Sequence, residues 1–110
     1  MSNDGVMSRS AFVVSWNEDD AIDLAATLSA AGWLVALEHG DGNQAWKRIK
    51  EGKPDVVVVD MRRRPSHSRE LLRVMGNRKY TSSIPVVQIE GDQGVPAYQV
   101  VLAVEAATAP

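Results

Sequence analysis

Two acidic side chains stand at positions where this 110-residue sequence could support chemistry. Asp60 directly follows the apolar run Val56–Val59, and Glu90 follows the run Pro85–Ile89. Both runs are typical of buried parallel strands, and neighbouring parallel strands bring their carboxyl ends to one crevice, where open α/β sheets bind ligands. Such a pair could act as general acid and base. No nucleophile, oriented base or oxyanion donor is recognisable beside it, so we expect no enzymatic activity.

Basic residues are concentrated just after Asp60. Seven of the twelve lysines and arginines lie between Arg62 and Lys79, and three of them form the run Arg62, Arg63 and Arg64. One interpretation is an exposed ion pair that holds Asp60 without metal and is worth no more than about 1 kcal/mol. A second is a contact surface for an anionic partner, because guanidinium groups bind phosphate and carboxylate through paired hydrogen bonds. A third is a solvated loop and helix face.

Composition narrows the range of functions. The chain has no cysteine, which excludes disulfides, thiolate metal sites and cysteine nucleophiles. The net charge of −2 argues against general binding to nucleic acid. The amino end is polar and every apolar run is too short to cross a bilayer, so we expect a cytoplasmic protein without membrane contact.

Hydrophobic runs alternate with amphipathic segments along the chain. We predict the strands Ala11–Val14, Trp33–Leu37, Val56–Val59 and Pro85–Ile89. The predicted helices run from Asn17 to Gly32, from Asn43 to Lys50, from about Ser68 to Asn77, and from Val95 to Ala107. A strand over Tyr98–Val104 is the alternative for the last segment. The alternation predicts a mostly parallel sheet with helices on both faces.

Three segments carry a resemblance to a known family. They are Gly40-Asp41-Gly42-Asn43-Gln44-Ala45-Trp46, Lys53-Pro54-Asp55-Val56-Val57-Val58-Val59-Asp60 and Ile84-Pro85-Val86-Val87. With the first strand and its helix, they resemble the receiver domains of bacterial response regulators, roughly over Phe12–Glu90. The resemblance implies an α/β, flavodoxin-like (CheY-like) three-layer sandwich, shortened at its carboxyl end, with four clear strands and the fifth strand and helix missing or altered. Residues 10–110 would form this domain and residues 1–9 a flexible tail.

The resemblance assigns a role to Asp60 and leaves other family positions unmatched. Asp60 corresponds to the phosphoacceptor aspartate. The acidic pair that holds magnesium in the family would fall at Ser15 and Trp16, and the family's switch hydroxyl at Glu90. We therefore expect no metal and no cofactor in the crevice formed by Ser15, Trp16 and Glu90, because magnesium needs carboxylate ligands. Trp16 would either plug the crevice or offer an aromatic anchor to a partner.

Acidic residues Glu18, Asp19 and Asp20 admit two interpretations. They could substitute for the missing magnesium-binding pair. The stronger interpretation places them in the first turn of a helix capped by Asn17, where carboxylates complement the helix dipole.

The prediction is an atypical receiver domain that acts in signalling as a phosphorylation-independent protein-interaction module. A working phosphoacceptor receiver that uses Asp60 is the first alternative. An anion-binding regulatory domain that uses Arg62–Arg64 is the second.

The fourth-strand side is the predicted interface. Receivers cover that side with a fifth strand and helix, whereas here Pro85–Ile89 would be an unpaired edge with apolar neighbours. We expect a signalling protein as partner, and a homodimer through this side, with Val86, Val101 and Leu102 as candidate contacts.

Overall fold

The computed structural model describes residues 9–90 and 96–109. The tail predicted for residues 1–9 therefore lies outside the described residues except for Arg9, and Val95 lies outside them as well. The strands are β1 (Ser10–Val14), β2 (Leu34–Glu38), β3 (Val56–Asp60) and β4 (Val86–Ile89). The helices are α1 (Glu18–Ala30), α2 (Gly42–Gly52), α3 (Pro65–Gly76) and α4 (Ala97–Thr108).

The four strands form one parallel sheet in the order β2-β1-β3-β4. Every residue of β3 is buried, as expected for a central strand covered on both faces. In the register, Val59 of β3 lies beside Val14 of β1, and Asp60 lies beside Ile89 of β4. Asp60 thus ends a central strand at the carboxyl edge of the sheet.

Two helices cover each face of the sheet, which confirms the predicted three-layer architecture. Leu24 and Leu28 of α1 pack with Val100 and Val104 of α4 on one face. On the other face, apolar residues of α2 and α3 pack against the alternate side chains of β1 and β3: Ala45, Ile49, Leu71 and Met75. Tyr98–Val104, for which a strand was the alternative, lies within the helix α4.

Local signals explain most of the element boundaries. Asn17 caps α1 as predicted, because its Oδ1 accepts a hydrogen bond from the Asp20 backbone N–H at 3.0 Å. Gly32 follows the helix with φ of +97°, a left-handed conformation that favours glycine. The predicted start of α3 at Ser68 was wrong: the helix begins at Pro65, whose fixed φ suits the first helical turn. Within the described residues, no helix has the length and apolarity to span a membrane.

Candidate functional site at the carboxyl edge of the sheet

Asp60 is fully buried and its carboxylate accepts four hydrogen bonds. Its Oδ1 accepts from the Arg62 Nε at 2.8 Å and from the Arg62 backbone N–H at 2.9 Å. Its Oδ2 accepts from the Arg62 Nη2 at 2.8 Å and from the Ser15 hydroxyl at 2.9 Å. The predicted ion pair is therefore present, but the expectation that it would be exposed was wrong, since the Asp60 side chain has 0% exposure.

Sequence spacing places these groups together. Arg62 follows Asp60 by two residues, so its backbone N–H and its guanidinium both turn back onto the strand end. Ser15 directly follows β1, and the pairing of Val14 with Val59 sets it beside Asp60. A bidentate guanidinium and a hydroxyl donor supply what a buried carboxylate requires.

A second carboxylate, from Asp20, faces the same guanidinium. Arg62 Nη2 lies 3.9 Å from Asp20 Oδ2, and Arg63 Nε lies 2.9 Å from the same oxygen. The Asp20 side chain is only 18% exposed. Sequence analysis placed Asp20 correctly in the first turn of α1 but missed this contact, whose only signal was that α1 starts immediately beyond the end of β1.

The electrostatics favour the ionised form of Asp60. Burial by itself would raise the pKa of Asp60, but the hydrogen bonds from Arg62 and Ser15, together with the charge of Arg62, outweigh it and hold the pKa below its ordinary value. Hydrogen bonding to Asp60 raises the pKa of Arg62 despite partial burial, with a further contribution from the charge of Asp20. The guanidinium is thus a permanent internal cation between two carboxylates.

Trp16 makes a contact that neither of its two predicted roles anticipated. Its side chain is half-buried, and its Nε1–H donates to Ser68 Oγ at 2.8 Å. The Ser68 hydroxyl in turn donates to the backbone carbonyl of Asp60 at 2.8 Å. The indole packs edge-on against His67, with ring centroids 5.6 Å apart. Trp16 therefore ties the end of β1 to α3, and Arg62 and Ser15 are the groups that contact the Asp60 carboxylate.

The remaining candidate residues lie outside this cluster. Glu90 is exposed and lines a surface depression with Arg62 and Arg69, and no hydrogen bond joins it to Asp60 within residues 9–90 and 96–109. The two carboxylates that could have formed an acid–base pair therefore make no direct hydrogen bond to each other. Arg64 is exposed at the N-cap of α3 and makes no side-chain capping hydrogen bond.

The donor set does not fit a magnesium ion. In the described part of the chain, no group of three or more His, Cys, Asp or Glu side chains is arranged to hold a metal. The buried carboxylate that could serve as a ligand is already bound on both oxygens, and a cationic guanidinium stands against it. Magnesium binds carboxylates and water in octahedral geometry and would have to displace Arg62.

Solved structures provide the comparison with known proteins. A protein assigned as a response regulator from Chloroflexus aurantiacus superimposes with a TM-score of 0.83 at 17% identity, over 94% of this chain and 100% of that one. The chemotaxis response regulator CheY4 of Vibrio cholerae gives 0.68 at 17% identity, over 89% and 81%. The pseudo-receiver domain of the CikA protein gives 0.64 at 13% identity, over 94% and 99%.

Sequence comparisons add no closer relation. No protein-family profile matches the chain, and no curated protein sequence matches it. Identities of 13–17% to the solved structures establish the fold alone. The chain therefore has the fold of response-regulator receiver domains, a fold that it shares with a pseudo-receiver.

Proposed function

We propose that this domain is an atypical receiver that works in signal transduction as a protein-interaction module and does not depend on phosphorylation of Asp60. The observation that carries the proposal is the state of the Asp60 carboxylate, which is buried and accepts four hydrogen bonds from Arg62 and Ser15. The receiver and pseudo-receiver folds of the compared structures support the signalling context.

Phosphorylation would require this arrangement to be taken apart. A carboxylate oxygen must be free to attack the phosphoryl donor, and cations must neutralise the charge that develops in the transition state. In this chain the Arg62 guanidinium already donates two hydrogen bonds to Asp60 itself, from Nε and Nη2. The residues beside Asp60 do not suit magnesium. The same arrangement supports a non-enzymatic role.

The arginine run is poorly suited to the anion-binding alternative. Arg62 is bound to Asp60 and Arg63 to Asp20, so two of the three guanidiniums face carboxylates of this chain. Arg64 remains as an exposed cation, which is a weak basis for a selective anion site.

The fourth-strand side is the proposed docking surface for a signalling partner. Within the described part of the chain β4 is the last strand on this side, and Val86 is half-buried. The helix α4 covers the face of β4 that bears Val87 and Ile89. It carries the other two candidate contacts: Leu102 is 59% exposed and Val101 is half-buried. A second copy of the chain is the partner that the sequence predicts.

Intact-mass spectrometry after incubation with magnesium and acetyl phosphate tests the phosphorylation claim. We expect the protein to keep its mass, because the nucleophilic oxygens of Asp60 are occupied. The matched variant Asp60→Asn reports any labelling at other residues. A stoichiometric phosphoryl adduct that disappears in Asp60→Asn would overturn the proposal and establish the phosphoacceptor alternative.

A further inference from the structure

The outer edge of β4 presents unpaired backbone groups. Among the described residues, no strand lies beyond β4. The Val57 N–H donates to the Pro85 carbonyl and the Met61 N–H to the Ile89 carbonyl, so residues 85, 87 and 89 direct their backbone groups toward β3. Backbone groups alternate in direction along a strand, which means that the N–H and C=O groups of Val86 and Gln88 point outward.

The opposite edge of the sheet differs in one informative respect. The corresponding outward residues of β2 are Val35 and Leu37, because Leu34 and Glu38 bond to the β1 side. There the Leu37 carbonyl accepts a hydrogen bond from Arg48 Nη1 at 2.8 Å, which blocks the edge with a charged side chain. The outward positions of β4 hold Val86 and Gln88, and neither is a proline, a lysine or another residue that protects an edge.

We infer that β4 pairs in antiparallel register with β4 of a second copy of this chain, about a two-fold axis that passes between the two Val87 residues. This inference rests on the proposed docking surface and names its occupant. In that register Val86 of one copy lies opposite Gln88 of the other, and their outward groups form about four backbone hydrogen bonds. The two sheets then join into one continuous sheet, and the same patch serves both copies.

Charge complementarity selects a second copy as the occupant. The same register sets Glu90 of one copy opposite Ile84 of the other, at the start of its strand. The turn segment between α3 and β4 carries the exposed cation Lys79, whereas the guanidinium of its neighbour Arg78 lies over the Trp46 ring of α2. Antiparallel pairing therefore turns the acidic strand end of each copy toward the segment of the other copy that carries Lys79, whereas parallel pairing would set like ends together.

Sedimentation velocity across a concentration series tests the pairing. Val86→Pro and Gln88→Pro each remove an outward N–H that has no hydrogen-bond acceptor within residues 9–90 and 96–109, and two-fold symmetry doubles the loss. We expect the dimer dissociation constant to rise roughly tenfold to a hundredfold for either variant. The matched control Val35→Pro removes an outward N–H from the β2 edge and should leave the dissociation constant unchanged. Circular dichroism confirms that each variant is folded.

Charge reversal tests the register. Lys79→Glu and Glu90→Lys should each weaken the dimer, and the double variant should recover most of the loss because the pair is restored across the axis. A dimer that is indifferent to both proline variants, or a wild-type chain that stays monomeric at millimolar concentration, would overturn the inference. Neither result touches the phosphorylation claim, which the acetyl phosphate experiment decides separately.

Discussion

Asp60 ends β3 and the outer edge of the sheet is the neighbouring strand β4, but the polar groups of the two regions are satisfied in opposite ways. Asp60 is buried and all of its observed partners come from its own chain. Val86 and Gln88 direct backbone groups away from the sheet, where the described residues offer no strand to receive them. The comparison contrasts a carboxylate that is bound within its own chain with backbone groups that lie open at the proposed docking edge.

The two regions should respond differently to mutation for a simple physical reason. A buried charge without a partner costs several kcal/mol, so the Asp60 cluster is needed for stability. Backbone groups at an open edge remain hydrated, so changes there cost the monomer little and act on association instead.

The largest expected effect is that of Arg62→Ala. This change leaves the buried Asp60 carboxylate with Ser15 as its remaining side-chain donor, and we expect the free energy of unfolding to fall by about 3 kcal/mol. Urea denaturation followed by Trp fluorescence measures it. The matched control is Arg63→Ala, whose side chain is 55% exposed and should change stability much less. Equal effects of the two variants would contradict the conclusion that Arg62 stabilises the fold by pairing with the buried Asp60 carboxylate.

Asp60→Asn should destabilise the domain by about 2 kcal/mol, because a charged acceptor of the Arg62 hydrogen bonds is replaced by a neutral one. This differs from the small effect expected of an exposed ion pair. Thermal and urea unfolding both report it. An unfolding midpoint equal to that of the wild type would show that the Asp60–Arg62 contact contributes no net stability.

Lowering the pH should selectively remove the stability that the Asp60–Arg62 contact contributes. Because the pKa of Asp60 is lowered in the folded state, the unfolded chain takes up the proton first as the pH falls. The stabilisation is therefore complete at neutral pH and is lost progressively below about pH 4. The wild type should lose stability more steeply over this range than Asp60→Asn, as measured by urea unfolding at a series of pH values. Parallel curves would count against the assignment.

A smaller effect is expected from Trp16→Phe, which removes the hydrogen bond to Ser68 and keeps an aromatic ring. We expect a loss of about 1 kcal/mol. In a double-mutant cycle, Trp16→Phe should cost much less when Ser68 is already alanine, since the bond is then absent. Full additivity of the two changes would mean that the bond to Ser68 does not couple them.

The smallest effect on stability belongs to the edge. Gln88→Lys should alter the free energy of unfolding by less than about 0.5 kcal/mol, because Gln88 is exposed and no described residue bonds to its outward backbone groups. A loss comparable to that of Asp60→Asn would remove the contrast between the two regions. Equilibrium unfolding at low protein concentration keeps association out of the measurement.

The sequence predicted the architecture better than the site. Continuous apolar runs and capping residues such as Asn17 are local signals, and they placed the strands and the first helix closely. The pairing of Asp60 with Arg62 was also anticipated, because the two residues are near neighbours in the chain. Its burial was not, since burial depends on the covering helices and on Ser15 arriving from another strand.

Two further features escaped prediction for the same reason. Asp20 reaches Arg62 only because α1 begins immediately beyond β1, a distance set by the tertiary fold. The position of Trp16 in the sequence suggested a plug or an aromatic anchor and gave no sign of a hydrogen bond to α3. Its hydrogen bond to Ser68 depends on where α3 packs, and α3 begins three residues earlier than the periodicity indicated.

The most direct test of the central claim observes the Arg62 side chain itself. In amide and guanidinium NMR spectra, a hydrogen-bonded Arg62 Nε–H should give a protected resonance at neutral pH, and this signal and the Ser15 and Asp60 amides should stay in place on addition of magnesium and beryllofluoride. Asp60→Asn identifies any shift that originates at Asp60. A saturable shift of these resonances that Asp60→Asn abolishes would show that the carboxylate is available for phosphoryl chemistry, and would contradict the account.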